Sequence, residues 1–139
     1  MGTWDSGTFD NDTALDFVYF ISESGYDFTV VRDALMQVEQ LAEDEYLEEF
    51  LSCNALVAAE IICALKGKPI STMPEDLLAQ FPAWENELQQ TDSILASRVV
   101  QRILNNSELR DLWFEGNAID DHFADEWVEN VNDVLTRLK

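Results

Sequence analysis

The sequence predicts an all-α fold, a compact single-domain bundle of about six to seven helices around a central apolar helix. In most segments the apolar residues recur every three or four positions, which is the spacing of one helical face. No segment combines sustained alternation of apolar and polar residues with turn residues, as a sheet would require. The chain has 139 residues, 47% of them hydrophobic. We therefore expect residues 1–139 to form one acidic helical domain with its own core.

Capping residues and amphipathic spacing predict the first two helices. Asp12 is suited to cap a helix that runs to about Ser24, and Gly25 is suited to end it. A second helix is expected from Phe28 to Ala42, because its apolar residues fall on one stripe, formed by Val31, Leu35, Val38 and Leu41. The sequence therefore predicts two helices separated by a turn at Gly25.

The central apolar helix is predicted from Glu45 to Lys66. It starts amphipathic and becomes apolar almost all round in its second half, as expected of a helix with neighbours on most sides. Gly67 is suited to the left-handed cap position, and Pro69 prevents the helix from continuing. We expect this helix to be the centre of the core, with Cys53 and Cys63 as buried thiols that do not pair with each other.

Shorter helices follow the central one. Thr72 and Glu75 fit a capping box, which opens a short helix to about Gln80. Another helix begins near Asp92. A polar run of two asparagines and a serine interrupts it, and a short further segment continues through Trp113. A last helix, from Asp120 to Leu138, places its apolar residues within one arc and its acids on the opposite face.

The charge of the chain restricts its partners. There are 28 acidic residues against 8 basic ones, for a formal net charge of −20. This disfavours direct contact with nucleic-acid phosphates and with an anionic membrane surface. The start of the chain lacks the basic and apolar regions of a signal peptide. We expect a cytoplasmic protein with neither nucleic acid nor membrane among its partners.

Catalytic chemistry has few candidates in this sequence. There is one histidine, His122, and there is no GxSxG, no phosphate-binding glycine loop and no HExxH. We expect no catalytic residue, no metal ligand and no cofactor. Glu60 is the candidate for a buried functional carboxylate, because it interrupts the longest apolar stretch. An ion pair with an arginine of the later helices is favoured over the role of a catalytic acid, and an exposed position in line with Glu49 and Cys53 is the other structural possibility.

Two acidic clusters are the candidate partner-binding residues. Acids of a first turn stabilise the helix dipole, but their number here exceeds what capping needs. A dense anionic face is suited to a basic protein, since opposite charges speed association and select partners. The predicted binding residues are Asp44, Glu45, Glu48 and Glu49 near the start of the central helix, and Asp121, Asp125, Glu126 and Glu129 on the last one. Solvent-exposed aromatic residues are the better anchors, with Trp84, Trp113, Phe114 and Tyr46 as candidates.

Three stretches resemble one bacterial family. They are MGTWDSGTFDNDTALDF at the start, NALVAAEIICALKGKP from Asn54 to Pro69, and NSELRDLW from Asn106 to Trp113. Together they are similar to proteins grouped as domain-of-unknown-function family 4259. The resemblance implies no catalytic residues. By analogy with small acidic bacterial proteins encoded beside secreted toxins, it suggests an immunity protein.

Three functions stay open from the sequence. The leading one is a non-enzymatic acidic module that binds a basic protein, such as an immunity or inhibitor protein that neutralises a toxin, for instance a nuclease. The second is an enzyme or divalent-metal protein that uses carboxylates alone, with Glu60, Asp10 and Asp12 brought together by the fold. The third is a structural protein that self-associates into a homo-oligomer.

Overall fold

The computed structural model describes residues 7–115 and 122–139, without the side chains of Glu115, His122 and Phe123. This part of the chain forms eight helices and no strand, so the all-α prediction is confirmed. Within it, no helix is both long and apolar enough to cross a membrane. The helices are α1 (Asp12–Glu23), α2 (Phe28–Glu39), α3 (Glu49–Leu65), α4 (Glu75–Leu78), α5 (Phe81–Trp84), α6 (Gln90–Asn105), α7 (Glu108–Glu115) and α8 (His122–Leu138).

The first two helices lie where the sequence predicts them, with shifted ends. The residue that caps α1 is Asn11 rather than Asp12, because its extended backbone lets its side-chain oxygen accept from Ala14 N at 2.8 Å. Gly25 ends α1 with a φ of 78°, a left-handed conformation that glycine adopts without strain. Helix α2 ends at Glu39, three residues before the predicted Ala42.

The central helix α3 begins later than predicted. Glu45 lies in a turn before it, where its carboxylate accepts from Ala42 N at 3.0 Å, and the helix starts at Glu49. The predicted end is correct. Gly67 has a φ of 87°, and Lys68 N donates to Cys63 O at 3.0 Å, which closes the left-handed cap. Every residue from 52 to 64 is buried, because α1, α2, α6, α7 and α8 all pack on α3.

The predicted capping box at Thr72 and Glu75 is wrong. The residue that caps α4 is Pro74, and no side-chain cap bond forms there. Pro74 has an extended backbone and precedes the first turn of α4. Thr72 therefore lies two residues before the cap, instead of being the cap itself. The capping box forms instead at α6, where Gln89 N donates to Asp92 at 2.9 Å.

A short helix, α5, is missing from the prediction. It holds Trp84, which is 2% exposed and contacts the rings of Phe28, Phe81 and Tyr26. The Trp84 indole N–H donates to Tyr26 O at 2.9 Å. Trp84 therefore packs the segment between α4 and α6 against the turn between α1 and α2.

A buried ion pair joins α2 to α6. Arg32 Nε and Nη2 donate to the two carboxylate oxygens of Asp92, both at 2.8 Å. The Asp92 side chain is 4% exposed. Burial alone would raise the pKa of Asp92, but the bonds from Arg32 and Gln89 N hold this pKa below its ordinary value. Arg32 is thus fully engaged in positioning α2 against α6.

Replacing Asp92 with asparagine is expected to lower the free energy of unfolding by about 2 kcal/mol at neutral pH, because charge-assisted hydrogen bonds are lost. A carboxyl whose pKa is lowered by folding contributes stability above its unfolded pKa and loses it as the pH falls through its folded pKa. The difference from the parent protein should therefore shrink below about pH 4. Urea unfolding at several pH values measures this.

The matched control for Asp92 is Glu39→Gln, which breaks a more exposed pair with Arg98. Exposed pairs contribute about 0.5 kcal/mol or less. An Asp92→Asn loss no larger than that of Glu39→Gln, or one that persists unchanged in acid, would contradict the assigned role.

Candidate functional site

The first predicted acidic cluster is spread over a connection and a helix start. Asp44 and Glu45 are exposed in the loop between α2 and α3, Glu48 is the cap residue of α3, and Glu49 is its first residue. The predicted central helix from Glu45 therefore starts too early, and Glu45, Glu48 and Glu49 do not lie together on one helix. Glu49 N donates to the Glu108 carboxylate at 2.7 Å, and burial with the nearby Glu108 raises the pKa of Glu49.

The second predicted cluster lies on α8. Asp125 and Glu129 are exposed and Glu126 is half-buried, whereas Asp121 lies outside the described residues. Helix α8 packs against α3, α6 and α7. The described acids of the two clusters thus lie on different elements, the first around the start of α3 and the second on α8.

Glu60 is completely buried and is part of a network. Arg137 Nη1 donates to one of its carboxylate oxygens at 2.7 Å, and the Thr8 hydroxyl donates to the other at 3.2 Å. Arg137 also donates to Asp133 at 2.8 Å. Burial raises the pKa of Glu60, and the charge of Arg137 opposes the rise. The network joins the start of the chain to α3 and α8, which is the ion pair that the sequence favours rather than the exposed alternative.

The two thiols are structural. Cys53 and Cys63 are free and buried, as predicted. Burial raises the pKa of each to about 12. A thiol with such a pKa carries almost no thiolate at neutral pH, which disfavours attack on a substrate by either side chain.

The predicted convergence of three carboxylates is not found. Glu60 contacts Arg137 and Thr8, Asp10 accepts from Gly7 N at 3.1 Å, and Asp12 is exposed in the first turn of α1. Among residues 7–115 and 122–139, no group of three or more His, Cys, Asp or Glu side chains could hold a metal ion. In the described part of the chain, Glu60, Asp10 and Asp12 therefore have separate contacts and form no such group.

A groove of about 560 Å³ is the candidate binding site. We call it the α1–α2 groove, because it lies between these two helices with the start of α3 as its floor. Its size falls within the range of pockets that bury a ligand. It is lined by Thr13, Asp16, Phe17 and Phe20 of α1, by Val30, Asp33, Ala34 and Gln37 of α2, and by Phe50 and Asn54 of α3.

The groove exists because α1 and α2 do not pack closely on one another. Each packs on α3, but the two make few contacts with one another. The turn between them has left-handed backbone at Gly25 and at Tyr26, which reverses the chain within a few residues. Ala34, a small residue on α2, lines the groove where a larger side chain would reduce its volume.

Aromatic rings line the walls of the groove. Phe20 is 58% exposed and Phe50 is 59% exposed, whereas Phe17 is buried with its ring centroid 6.4 Å from that of Phe20. Aromatic anchors contribute most in a well-packed pocket at the centre of an interface, from which the partner excludes water. Of the anchors predicted from sequence, Trp84 and Trp113 are buried in the core, while Tyr46 and Phe114 are exposed outside the groove.

Phe20 and Phe50 were missed by the sequence analysis. A signal was present for the first of them. Helix α1 needs only Ala14, Phe17 and Ile21 to cover α3, yet it carries further large apolar residues on its other faces, namely Leu15, Tyr19 and Phe20. A helix that is apolar beyond its packing face indicates a second surface that is covered by something else.

Asn54 lies in the floor of the groove with an unused acceptor. The residue is 8% exposed, and its Oδ1 accepts no hydrogen bond from any described residue. Buried polar atoms normally have partners, and an unpaired one costs about 1 to 3 kcal/mol. Two other atoms in the described part share this state, Ser52 Oγ and Arg137 Nη2, but neither residue lines the groove.

The field around the groove is negative. Helices α1 and α2 carry five acids, Asp12, Asp16, Glu23, Asp33 and Glu39, and a single base, Arg32. Arg32 is neutralised by Asp92, so it does not offset the charge of the groove. Asp16 and Asp33 are exposed at its rim, one on each helix. The site therefore presents apolar walls and a negative rim.

Comparison with known families gives one match. The sequence profile of the family described as Domain of unknown function (DUF4259) matches residues 2–130. This confirms the resemblance seen in the three sequence stretches. Comparisons with curated proteins and with solved structures gave no match.

Proposed function

The chain belongs to the DUF4259 family, and we propose that it is a non-enzymatic binding module for a basic protein. The observation that supports the proposal is the α1–α2 groove, where exposed aromatic rings stand within a rim that carries acids and no free base. Aromatic groups in a desolvated pocket supply affinity, and complementary charge supplies speed and selectivity of association. No cofactor takes part.

The partner is a toxin that the protein neutralises, as an immunity or inhibitor protein does. A nuclease fits this role well, because it carries a basic surface to bind phosphates. An acidic protein that covers such a surface excludes the nucleic acid by occupying its site. We place the interaction in the cytoplasm, where unpaired thiols such as Cys53 and Cys63 stay reduced.

The acidic residues predicted from sequence have a secondary part in this proposal. Asp44, Glu45, Glu48 and Glu49 precede or begin α3, whose next residue is the groove residue Phe50. They extend the negative field beyond the rim and steer a basic partner toward the groove. Asp125, Glu126 and Glu129 on α8 contribute to the overall charge alone.

Reversing the charge of the rim tests the proposal. Asp16→Lys/Asp33→Lys is expected to weaken binding of the partner by at least about tenfold, because attraction becomes repulsion. The control is Asp76→Lys/Glu85→Lys, which changes the net charge equally at exposed residues outside the groove. Tagged protein captures partners from the source cells at low salt, and each captured protein is then purified and titrated against the three forms.

Binding by the parent and control forms should fall with rising salt, since charges are screened over about 8 Å at physiological ionic strength. The proposal fails if no basic protein is captured at low salt. It fails equally if the rim variant and the control variant bind the captured protein with the same affinity.

A further inference from the structure

Helix α6 exposes no acid to solvent. Its one acidic residue, Asp92, is buried in the pair with Arg32. The outward positions of α6 hold neutral and basic residues, and among them Ile94 is a large apolar side chain that is 53% exposed. Because 28 of the 139 residues of the chain are acidic, a helix without an exposed acid forms a surface that differs electrostatically from the rest.

Two adjoining hollows lie between α6 and α8 on this side. The first, of about 510 Å³, is lined by Ser97 and Gln101 of α6 and by Asn132, Leu135, Thr136 and Lys139. The second, of about 460 Å³, shares Lys139 and extends to Ser93, Ile94 and Lys66. Among the described residues, neither lining contains an acid. The start of α6 thus lies beside the end of α8, so the two helices run antiparallel.

Helix α8 contributes a stripe whose charge changes along its length. Asp125, Glu129, Asn132, Thr136 and Lys139 follow one another at spacings of four, three, four and three, and all five are exposed. Such spacing places them on one side of the helix. The last three line the first hollow. The stripe therefore runs from two acids, through two neutral residues, to a base. We call this stripe, together with the outward side of α6, the α6–α8 face.

The basic end of the face is reinforced by the other lysines. The chain has three lysines, Lys66, Lys68 and Lys139. Lys66 Nζ donates to the Lys139 carbonyl at 3.3 Å, and Arg137 Nη1 donates to the Lys68 carbonyl at 3.2 Å. All three lysines thus lie around the end of α8. The face is positive at this end and negative at the start of α8.

We propose that the α6–α8 face binds a second copy of this chain about a two-fold axis that crosses the two helices, so that each helix lies antiparallel on its counterpart. A two-fold interface joins the same surface of both copies, so each contact occurs twice. The antiparallel arrangement places the lysines of each copy against Asp125 and Glu129 of the other. The centre without acids keeps the remaining charge of two chains of net charge −20 away from the contact.

This inference goes beyond the proposed function and does not depend on it. The α1–α2 groove shares no residue with the linings of the two hollows, so it stays outside the dimer interface. The acids of α8 add only net charge when a basic partner binds, but in the dimer they contact specific lysines. A basic protein is a poor occupant of the α6–α8 face, because the lysines repel it.

The size of the face indicates a weak and reversible dimer. The distance from Asp125 to Lys139 along α8 is about 21 Å, at 1.5 Å per residue. Two neighbouring helices are together about 20 Å wide. Two such faces bury less than about 1,200 Å² in total, which is the size of a transient interface. Dimer formation should therefore depend on protein concentration, and sedimentation equilibrium up to about 1 mM measures it.

A charge swap tests the antiparallel arrangement. Glu129→Lys and Lys139→Glu are each expected to raise the dissociation constant of the dimer about tenfold, because each brings like charges together. Glu129→Lys makes the chain less negative, so a change in general repulsion alone would strengthen the dimer instead. The combined variant Glu129→Lys/Lys139→Glu keeps the net charge at −20 and should dimerise like the parent, since each new lysine meets a new glutamate of the other copy.

An acid placed in the centre of the face gives a second test. Ser97→Glu is expected to raise the dissociation constant at least about a hundredfold, because the two-fold axis brings two added carboxylates close together. The control is Thr72→Glu, which adds the same charge at an exposed residue that lines neither hollow and should leave the dimer unchanged. Thermal unfolding followed by circular dichroism shows whether each variant is folded.

Three results overturn the proposal. The first is a parent protein that stays strictly monomeric up to about 1 mM. The second is a dimer that folded Ser97→Glu forms as tightly as Thr72→Glu does, which would place the contact on another surface. The third is a combined variant that dimerises no better than the two single charge variants, which would exclude the antiparallel arrangement. None of these results changes the expected binding of a basic protein in the α1–α2 groove.

Discussion

Replacing Glu60 with alanine is expected to lower the free energy of unfolding by about 3 kcal/mol, the lower end of the cost of breaking a buried ion pair. The substitution removes the partner of Arg137 inside the core and frees the Thr8 hydroxyl. The loss stays near the lower end because Asp133 and the Lys68 carbonyl still accept from Arg137. Urea unfolding followed by circular dichroism at neutral pH measures it.

Glu60→Gln is the matched variant, because the amide keeps the shape and one acceptor oxygen for Arg137. It should cost much less than the alanine substitution. A carboxyl whose pKa is raised by folding contributes most stability below its unfolded pKa, and this contribution is lost as the pH rises through its folded pKa. The parent protein should therefore lose stability relative to Glu60→Gln above about pH 4. An alanine variant as stable as the parent would show that the network is energetically neutral.

Replacing Trp84 with alanine is expected to lower the free energy of unfolding by about 3 to 5 kcal/mol, the range for removing a buried aromatic side chain. The indole is 2% exposed and contacts the ring of Phe28 at 5.8 Å between centroids. Its loss leaves a cavity and releases the short helix α5 from the turn between α1 and α2. Thermal and urea unfolding of the variant give the size of the effect.

Two controls separate the parts played by Trp84. Trp84→Phe retains an aromatic ring but removes the N–H that bonds Tyr26 O, so about 1 to 2 kcal/mol should be lost. Tyr19→Ala changes a 66% exposed ring and should stay within about 0.5 kcal/mol of the parent. A Trp84→Ala variant that behaves like Tyr19→Ala would show that α5 does not anchor the turn.

Helix boundaries that are set by neighbouring residues in the chain could be predicted from the sequence. The helix end at Gly67 follows from residues that cannot continue a helix, and its geometry needs no other part of the chain. The start of α3 could not be predicted in this way. The acids before it favour a helix locally, but the Glu45 carboxylate instead accepts a hydrogen bond from Ala42 N in a turn. The capping box failed at Thr72 for a different reason, since Pro74 has an extended backbone and is itself the cap of α4. Glu45 shows that local helix propensity can lose where a side chain offers the backbone a competing bond.

The features of the candidate site also fall into those that the sequence predicts and those that only the tertiary structure shows. Composition and helical period determined the all-α class and the apolar centre at α3, because each depends on residues close together in the chain. Only the tertiary structure decided that Glu60 pairs with Arg137, 77 positions away. It also decided that α1 and α2 both pack on α3 with few contacts between them, which leaves the groove. Contacts between distant residues depend on how helices pack, and the pattern of a single helix does not specify its partner.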